Sequence, residues 1–163
     1  MTLPLYGLLA LLADGQLLAR SGRKIVGVGH RQTLPFSVTN VAAGDNATPA
    51  SSTAVQAQWA GAAAVAVGWT APRAGSLTGL SAALSAAAAG SSCIVGVYKN
   101  GTLMNALAIV TLAATDTKAY GTFTRGTYTF VAGDVIDVRV RTGSGWSATT
   151  VDLAVAVEVD VAN

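Results

Sequence analysis

The residue types that most often carry out catalysis are scarce in this chain. It has one histidine, His30, and one cysteine, Cys93, in 163 residues. His30 stands in a basic segment, and no serine is placed so that this imidazole would act as its base, so a hydrolytic triad is not indicated. Cys93 stands in an apolar run and has no second cysteine with which to form a disulfide. We therefore expect a buried, inert thiol rather than a nucleophile.

Metal and phosphate sites are not indicated either. A zinc site would have to rely on carboxylates, and the eight acidic residues are scattered along the chain. Asp134 and Asp137 are close enough in sequence to suggest calcium, but capping and turn roles are far more common for such a pair. Gly27-Val28-Gly29 lacks the third glycine of a dinucleotide fingerprint and the Gly-Lys-Ser/Thr of a P-loop. The sequence thus predicts no enzymatic activity, no metal and no cofactor.

The low charge content is the most informative property of the composition. Charged residues make up 11% of the chain, less than half of the ~25% usual in soluble domains. Such a surface is poorly protected against association. We therefore expect much of it to be covered by other subunits or by a larger particle. The net charge of +2 is too small to indicate nucleic-acid binding.

The N-terminal part combines an apolar stretch with a basic cluster. Leu3–Ala13 is shorter than the ~20 residues that span a bilayer, and no positive charge precedes it, so we expect neither an anchor nor a signal peptide. The cations that follow are Arg20, Arg23, Lys24 and Arg31, with no acidic residue among them. Three interpretations remain open for this cluster: a solvated loop, a docking segment for an acidic protein surface, and a nucleic-acid contact.

Two segments near the C-terminus alternate between apolar and other residues. In Val135–Arg141 the apolar residues at even positions share one face, and in Val151–Asp160 the large residues occupy odd positions. A period of two is typical of half-buried strands. Asn100-Gly101 lies between two apolar runs and predicts a two-residue type I′ turn, because both residues tolerate positive φ.

The rest of the chain after residue 54 also favours strands and therefore an all-β fold. Leu77–Ala89 is rich in alanine, the best helix former, but Ser76, Thr78 and Gly79 at its start and Gly90 at its end favour a strand followed by an alanine-rich loop. Turn-prone groups recur at intervals of roughly 8–15 residues, as in antiparallel sandwiches and barrels. Strands do not alternate with helices, so an α/β fold is not indicated.

The three tryptophans leave two interpretations open. Trp59, Trp69 and Trp146 suit a sugar site, or they suit packing at a subunit interface, where tryptophan is enriched. We favour packing for most aromatic residues. Trp146 is the exception, because it follows Gly143-Ser144-Gly145 and is therefore expected to be exposed in a recognition loop.

Two motifs support a family resemblance. Cys93–Gly101 reads CIVGVYKNG, Thr129–Val140 reads TFVAGDVIDVRV, and a final alternating strand follows. In this order they resemble the tumour-necrosis-factor-like and complement-like jelly-roll modules of bacteriophage virion proteins, over roughly residues 62–160. The resemblance implies an all-β, antiparallel jelly-roll sandwich with an extended N-terminal arm. A change of composition near residue 45 divides the chain into an arm and linker (1–53) and the jelly-roll domain (54–163).

The resemblance also implies a role and partners. Such modules usually assemble as homotrimers, and in phage they serve as capsid decoration (cement) proteins, head fibres or fibre tips. The chain has no collagen-like repeat or heptad stalk. We therefore expect a decoration protein on the outer capsid surface of the virion, with copies of itself and the major capsid protein as partners, and with neither nucleic acid nor a membrane. The alternative is a receptor- or glycan-binding head domain of a phage fibre or surface adhesin.

The arm is expected to make the contact with the capsid. Its apolar side chains would be buried, and Lys24–Val28 would add a strand to an exposed sheet edge. The residues expected to bind the partner are Leu3, Leu5, Tyr6, Arg20, Arg23, Lys24, Ile25, Val26 and Arg31.

Overall fold

The structure is a computed structural model that describes residues 17–21, 24–28, 30–41, 55–56, 58–59, 68–87, 90–143, 145–147 and 150–162. Within these ranges it contains fourteen strands and no helix. The first five are β1 (Leu17–Ser21), β2 (Lys24–Val28), β3 (His30–Val38), β4 (Val55–Gln56) and β5 (Gln58–Trp59). The others are β6 (Trp69–Thr70), β7 (Gly75–Leu84), β8 (Cys93–Lys99), β9 (Thr102–Leu103), β10 (Ile109–Leu112), β11 (Lys118–Thr122), β12 (Tyr128–Phe130), β13 (Val135–Thr142) and β14 (Leu153–Val161).

The strands from β3 onward form two antiparallel sheets. The β3 sheet has the order β11-β7-β14-β3-β5, with β12 also paired to β7. The β8 sheet has the order β10-β8-β13-β4, with β6 also paired to β13 and β9 to β8. β1 and β2 pair with each other as an antiparallel hairpin. The predicted all-β class is confirmed, and the arrangement is consistent with a β-sandwich.

Alternation along the strands explains the core. In β14, Leu153, Val155 and Val157 are buried, whereas Ala154 is exposed and Ala156 half-buried. The same pattern in the neighbouring strands directs one face of each sheet inward. The largest fully buried aliphatic side chains are Leu34, Leu77, Leu80, Leu112, Ile136, Leu153, Val95, Val97, Val138, Val157 and Val159.

β3 corrects the predicted domain boundary. Residues 1–53 were expected to form an arm and linker, but β3 pairs with β14 along its whole length, from Val38↔Leu153 to His30↔Val161. Leu34 and Phe36 are buried in the core. Residues 30–41 therefore belong to the sandwich. Apart from β1 and β2, the rest of the expected arm lies outside the described residues.

The turn at Asn100-Gly101 and the strand β7 agree with the prediction. Asn100 and Gly101 have φ values of 51° and 80°, as a type I′ turn requires. Lys99 and Thr102 pair on either side of this turn. β7 ends at Leu84, so the described part of the alanine-rich segment is strand and loop.

Cys93 and Trp69 are core residues. The Cys93 side chain is fully buried, and burial raises the pKa of its thiol to about 12. The burial confirms the expected buried thiol. The raised pKa keeps the side chain in its protonated form, which is unreactive because the thiolate is the reactive form of cysteine. Trp69 is also buried and contacts Phe130 edge-to-face, with the ring centres 5.8 Å apart. Its role is packing.

Candidate assembly surface

The outward side of the β3 sheet is a surface made mostly of small residues. β3, β7, β11 and β14 each contribute three residues to it, because every second side chain of a strand points away from the core. We call this surface the small-residue face. It comprises Thr33, Pro35, Ser37, Gly79, Ser81, Ala83, Lys118, Tyr120, Thr122, Ala154, Ala156 and Glu158.

The strand register arranges these residues in three rows. The central row is Pro35, Ala156, Ser81 and Tyr120. The rows on either side are Ser37, Ala154, Ala83 and Lys118, and Thr33, Glu158, Gly79 and Thr122. The middle of the face is therefore nearly flat, and its largest apolar side chain stands on the outer strand β11.

Tyr120 is the most prominent side chain of the face. It is 83% exposed, although it lies within a strand rather than in a loop. Beside it is a shallow, mainly apolar groove of about 520 Å³, lined by residues that include Pro35, Ala83, Ala154 and Ala156. Exposed aromatic side chains and small apolar depressions are the features that pair at the centres of protein interfaces. The face presents both.

Lys118 and Glu158 are the charged members of the face, and they lie in different rows. The Glu158 carboxylate accepts a hydrogen bond from Thr78 Oγ1 at 2.7 Å and lies 3.5 Å from Arg31 Nη1. A register shift after Glu158 leaves Thr78 as the extra residue of a β-bulge. The bulge directs the Thr78 hydroxyl to the carboxylate. The ion pair is solvent-exposed and contributes little to stability, but the contacts hold Glu158 in place.

The small-residue face is smaller than a complete protein–protein interface. Four strands about 4.8 Å apart and three rows over about 17 Å cover roughly 300 Å². A standard interface buries about 800 Å² per partner. The face is therefore large enough for the apolar centre of an interface, and the adjoining edges and loops would have to supply the rim.

The outward side of the β8 sheet carries a buried polar cluster instead. The Asp137 side chain is almost fully buried, and its Oδ2 accepts a hydrogen bond from Arg139 Nε at 3.2 Å. The Arg139 guanidinium lies 4.5 Å from the centre of the Tyr98 ring, a cation–π contact. Oδ1 of Asp137 has no hydrogen-bond partner among the described residues.

Replacing Asp137 with asparagine is expected to change the pH dependence of stability. Burial raises the pKa of the Asp137 carboxyl from 3.8, and this outweighs the lowering by Arg139. The folded state therefore holds this proton more tightly than the unfolded state, and the corresponding stability is lost as the pH rises above 3.8 through the folded pKa. In urea unfolding, the free energy of unfolding of Asp137→Asn should increase relative to that of wild type as the pH is raised from acid to neutral.

Asp134→Asn is the matched control, with the opposite sign. Hydrogen bonds from the Val131 N–H and from the Asn100 side chain lower the pKa of the Asp134 carboxyl from 3.8. Its stability contribution is thus present above 3.8 and is lost as the pH falls through the folded pKa. If the free energies of unfolding of both variants, relative to wild type, changed with pH in the same direction, the opposite pKa directions assigned to Asp137 and Asp134 would be wrong.

Asn100 and Asp134 join two turns of the sandwich. Asn100 Nδ2 donates to Asp134 Oδ1 at 2.7 Å, and the Val135 N–H donates to Asn100 Oδ1 at 2.8 Å. Asp134 Oδ2 accepts the Val131 N–H at 2.9 Å. We call this set of contacts the Asn100–Asp134 latch. The two motifs behind the family resemblance are thus in direct contact.

No protein-family model matches the chain, and a search of curated proteins gives no significant match. Its function must therefore be argued from its own surfaces.

The structure describes five of the nine residues expected to bind a partner. Four of them, Arg20, Lys24, Ile25 and Val26, lie in the β1–β2 hairpin, where Lys24 pairs with Ser21 and Val26 with Ala19. Arg31 lies in β3 and is largely exposed beside Glu158. Leu3, Leu5, Tyr6 and Arg23 lie outside the described residues.

Trp146 corrects the prediction of an exposed recognition residue. It is only 4% exposed, and its Nε1–H donates a hydrogen bond to the Val41 carbonyl oxygen at 2.8 Å. The backbone N–H of Trp146 also donates to Gly143 O. The indole therefore anchors its loop to the end of β3 and is not available to a ligand.

The described residues contain no group of three or more histidine, cysteine, aspartate or glutamate side chains placed to hold a metal ion. They also contain no helix with the length and hydropathy of a membrane span.

Proposed function

We propose that the chain is a structural protein without enzymatic activity, which assembles as a homotrimer through the small-residue face and decorates the outer surface of a bacteriophage capsid. Its partners are copies of itself and the major capsid protein, and its location is the virion exterior. The observation that carries the proposal is the small-residue face. An exposed tyrosine beside an alanine-lined groove, with few charges, suits contact with another protein surface rather than with water.

The order of the strands supports a jelly-roll topology. Successive strands cross between the sheets: β7 lies in the β3 sheet, β8 and β10 in the β8 sheet, and β11 again in the β3 sheet. β13 then lies in the β8 sheet, and β14 returns to the middle of the β3 sheet. Sheets joined by such repeated crossings, rather than by local hairpins alone, are typical of jelly rolls.

The capsid contact is assigned to the hairpin β1–β2 and the residues before it. Each hairpin strand is paired on one side by the other. No other described strand pairs with the opposite side of either strand, and in the proposal that side adds to a sheet edge of a capsid protein. Three hairpins on one trimer would bind with a gain in effective concentration.

Capsid binding tests this proposal. Purified undecorated phage capsids should take up the full-length protein to a saturable stoichiometry. A variant lacking residues 1–28 should remain folded, because β3 is kept, and should bind at least about tenfold more weakly, because the apolar and basic contacts are lost. Removing residues 1–44 is unsuitable, since it deletes β3. Failure of the full-length protein to bind, or undiminished binding without residues 1–28, would contradict the capsid assignment.

One observation favours a second candidate, glycan binding. A groove of about 250 Å³ on the same face is lined by residues that include Thr33, Ser81, Thr122, Tyr120 and Glu158. Hydroxyl groups, a carboxylate and an exposed aromatic ring are the groups that bind sugars. A glycan array separates the candidates: binding that Tyr120→Ala abolishes in a monomeric protein would favour the receptor-binding role of a fibre head or adhesin.

A further inference from the structure

Asn100-Gly101 is the most chemically labile dipeptide in the described part of the chain. In an Asn-Gly pair, the glycine backbone nitrogen attacks the asparagine Cγ without hindrance from a side chain. The new N–C bond closes a succinimide ring, and the side-chain nitrogen leaves as ammonia. One water molecule then opens the ring at either carbonyl and yields aspartate or isoaspartate. The net change is the conversion of an amide and water into a carboxylic acid and ammonia.

The latch opposes each part of this reaction. Both polar atoms of the Asn100 amide are engaged, Nδ2 by Asp134 at 2.7 Å and Oδ1 by the Val135 N–H at 2.8 Å. To present Cγ to the Gly101 nitrogen, the amide would have to give up these bonds. The nitrogen that must leave is itself the donor to the Asp134 carboxylate. The nearby negative charge also disfavours the anionic form of the attacking nitrogen.

The product would reverse the interaction on which the latch depends. The side-chain carboxylate formed at position 100 has no N–H to donate, and it would face the carboxylate of Asp134. Two like charges at hydrogen-bond distance repel each other. Isoaspartate would in addition lengthen the backbone within a turn that now has two positive φ values.

We propose that Asn100-Gly101 is a self-modification site that the Asp134 carboxylate holds unreacted, and that its conversion opens the contact between the β8–β9 turn and the turn before β13. Asp134 is a positioning residue in this scheme, because it acts through the Asn100 amide. The inference does not depend on assembly or on capsid binding.

The rate of conversion tests the proposal. Full-length wild type, Asp134→Ala and Asp116→Ala are incubated at mildly alkaline pH beside a synthetic peptide of residues 97–103, and residue 100 is followed by peptide mass mapping and isoaspartate-specific methylation. Asp116→Ala is the matched control, because Asp116 also accepts a backbone N–H within a turn, from Ala113 at 3.1 Å. Wild type and Asp116→Ala should react at least about tenfold more slowly than the peptide, and Asp134→Ala should approach the peptide rate, because releasing a charge-assisted hydrogen bond frees the amide.

Two results would overturn the proposal: wild type reacting as fast as the peptide, or Asp134→Ala reacting as slowly as wild type while folded. The comparison of wild type with the peptide needs no variant, so it can overturn the proposal even if Asp134→Ala is unstable. In that case Asp134→Asn, which keeps the size of the side chain and removes the charge, takes the place of Asp134→Ala and should likewise react faster than wild type. A second arm tests the consequence of conversion. Asn100→Asp should lower the melting temperature, and adding Asp134→Asn should restore it, because the exchanged pair again has a donor facing an acceptor. If the double variant melted no higher than Asn100→Asp, the repulsion would not be the cause.

Discussion

Replacing Ala156 with glutamate is expected to separate the subunits and leave each of them folded. Ala156 lies in the central row of the small-residue face, between Pro35 and Ser81. In the assembly, the new carboxylate would be buried without a partner and two positions from Glu158. An uncompensated buried charge costs about 3 kcal/mol or more, which corresponds to a loss of affinity of about a hundredfold.

The single subunit should tolerate this change, because the side chain of residue 156 points away from the core. Light scattering gives the mass, and circular dichroism checks the fold. Thr122→Glu and Thr111→Glu form a matched pair of controls: both residues are exposed threonines on short strands, but Thr122 lies on the small-residue face and Thr111 on the β8 sheet. Thr122→Glu should weaken assembly and Thr111→Glu should not. Full assembly of Ala156→Glu would rule out this face.

Replacing Trp146 with alanine is expected to lower the free energy of unfolding by about 3–5 kcal/mol. The indole is buried with Leu153 and Val151 in the same core. Its removal leaves a cavity and deprives the Val41 carbonyl oxygen of its donor. The loop that follows β13 and the end of β3 would lose their shared anchor.

Urea denaturation measures this effect. Trp146→Phe keeps much of the apolar contact and lacks the N–H, so its loss should be smaller, about 1–3 kcal/mol. Val131→Ala is the exposed control, because Val131 is 62% exposed, and it should have little effect. A Trp146→Ala protein as stable as wild type would show that the indole is not a core residue and would restore the recognition interpretation.

Several strands could be predicted from the sequence because their neighbours impose a simple pattern. β13 and β14 have one face in the core, so large apolar residues recur at every second position. The Asn-Gly turn was predictable because its conformation depends on two adjacent residues. In each case the structure is determined by residues that are adjacent or nearly adjacent in sequence.

The misassigned elements depend on partners distant in sequence. β3 was assigned to the arm because the change of composition falls near residue 45, after this strand. Pro35 gives no signal for a paired strand, because a proline lacks a backbone N–H and argues against neighbours on both sides. Among the described residues, β5 pairs with Phe36 and Ser37 of β3. Trp146 has a loop-like local sequence, and residues distant in the chain bury it, among them Val41, whose carbonyl oxygen accepts its Nε1–H.

The small-residue face was only partly predictable. Alternation in β14 indicates that Ala154 and Ala156 point away from the core. The position of Tyr120 beside them follows from the pairing of β11 with β7 and of β7 with β14. No local pattern encodes these two pairings, so the aromatic residue and the alanine-lined groove are recognised as one surface only in the folded chain.

The mass of the full-length protein in solution tests the central claim most directly. The proposed homotrimer, associated through the small-residue face, predicts a single species with three times the chain mass of 16.3 kDa, which dissociates when Ala156 is replaced by glutamate. A wild-type protein that stays at the mass of one chain at every accessible concentration would contradict the account.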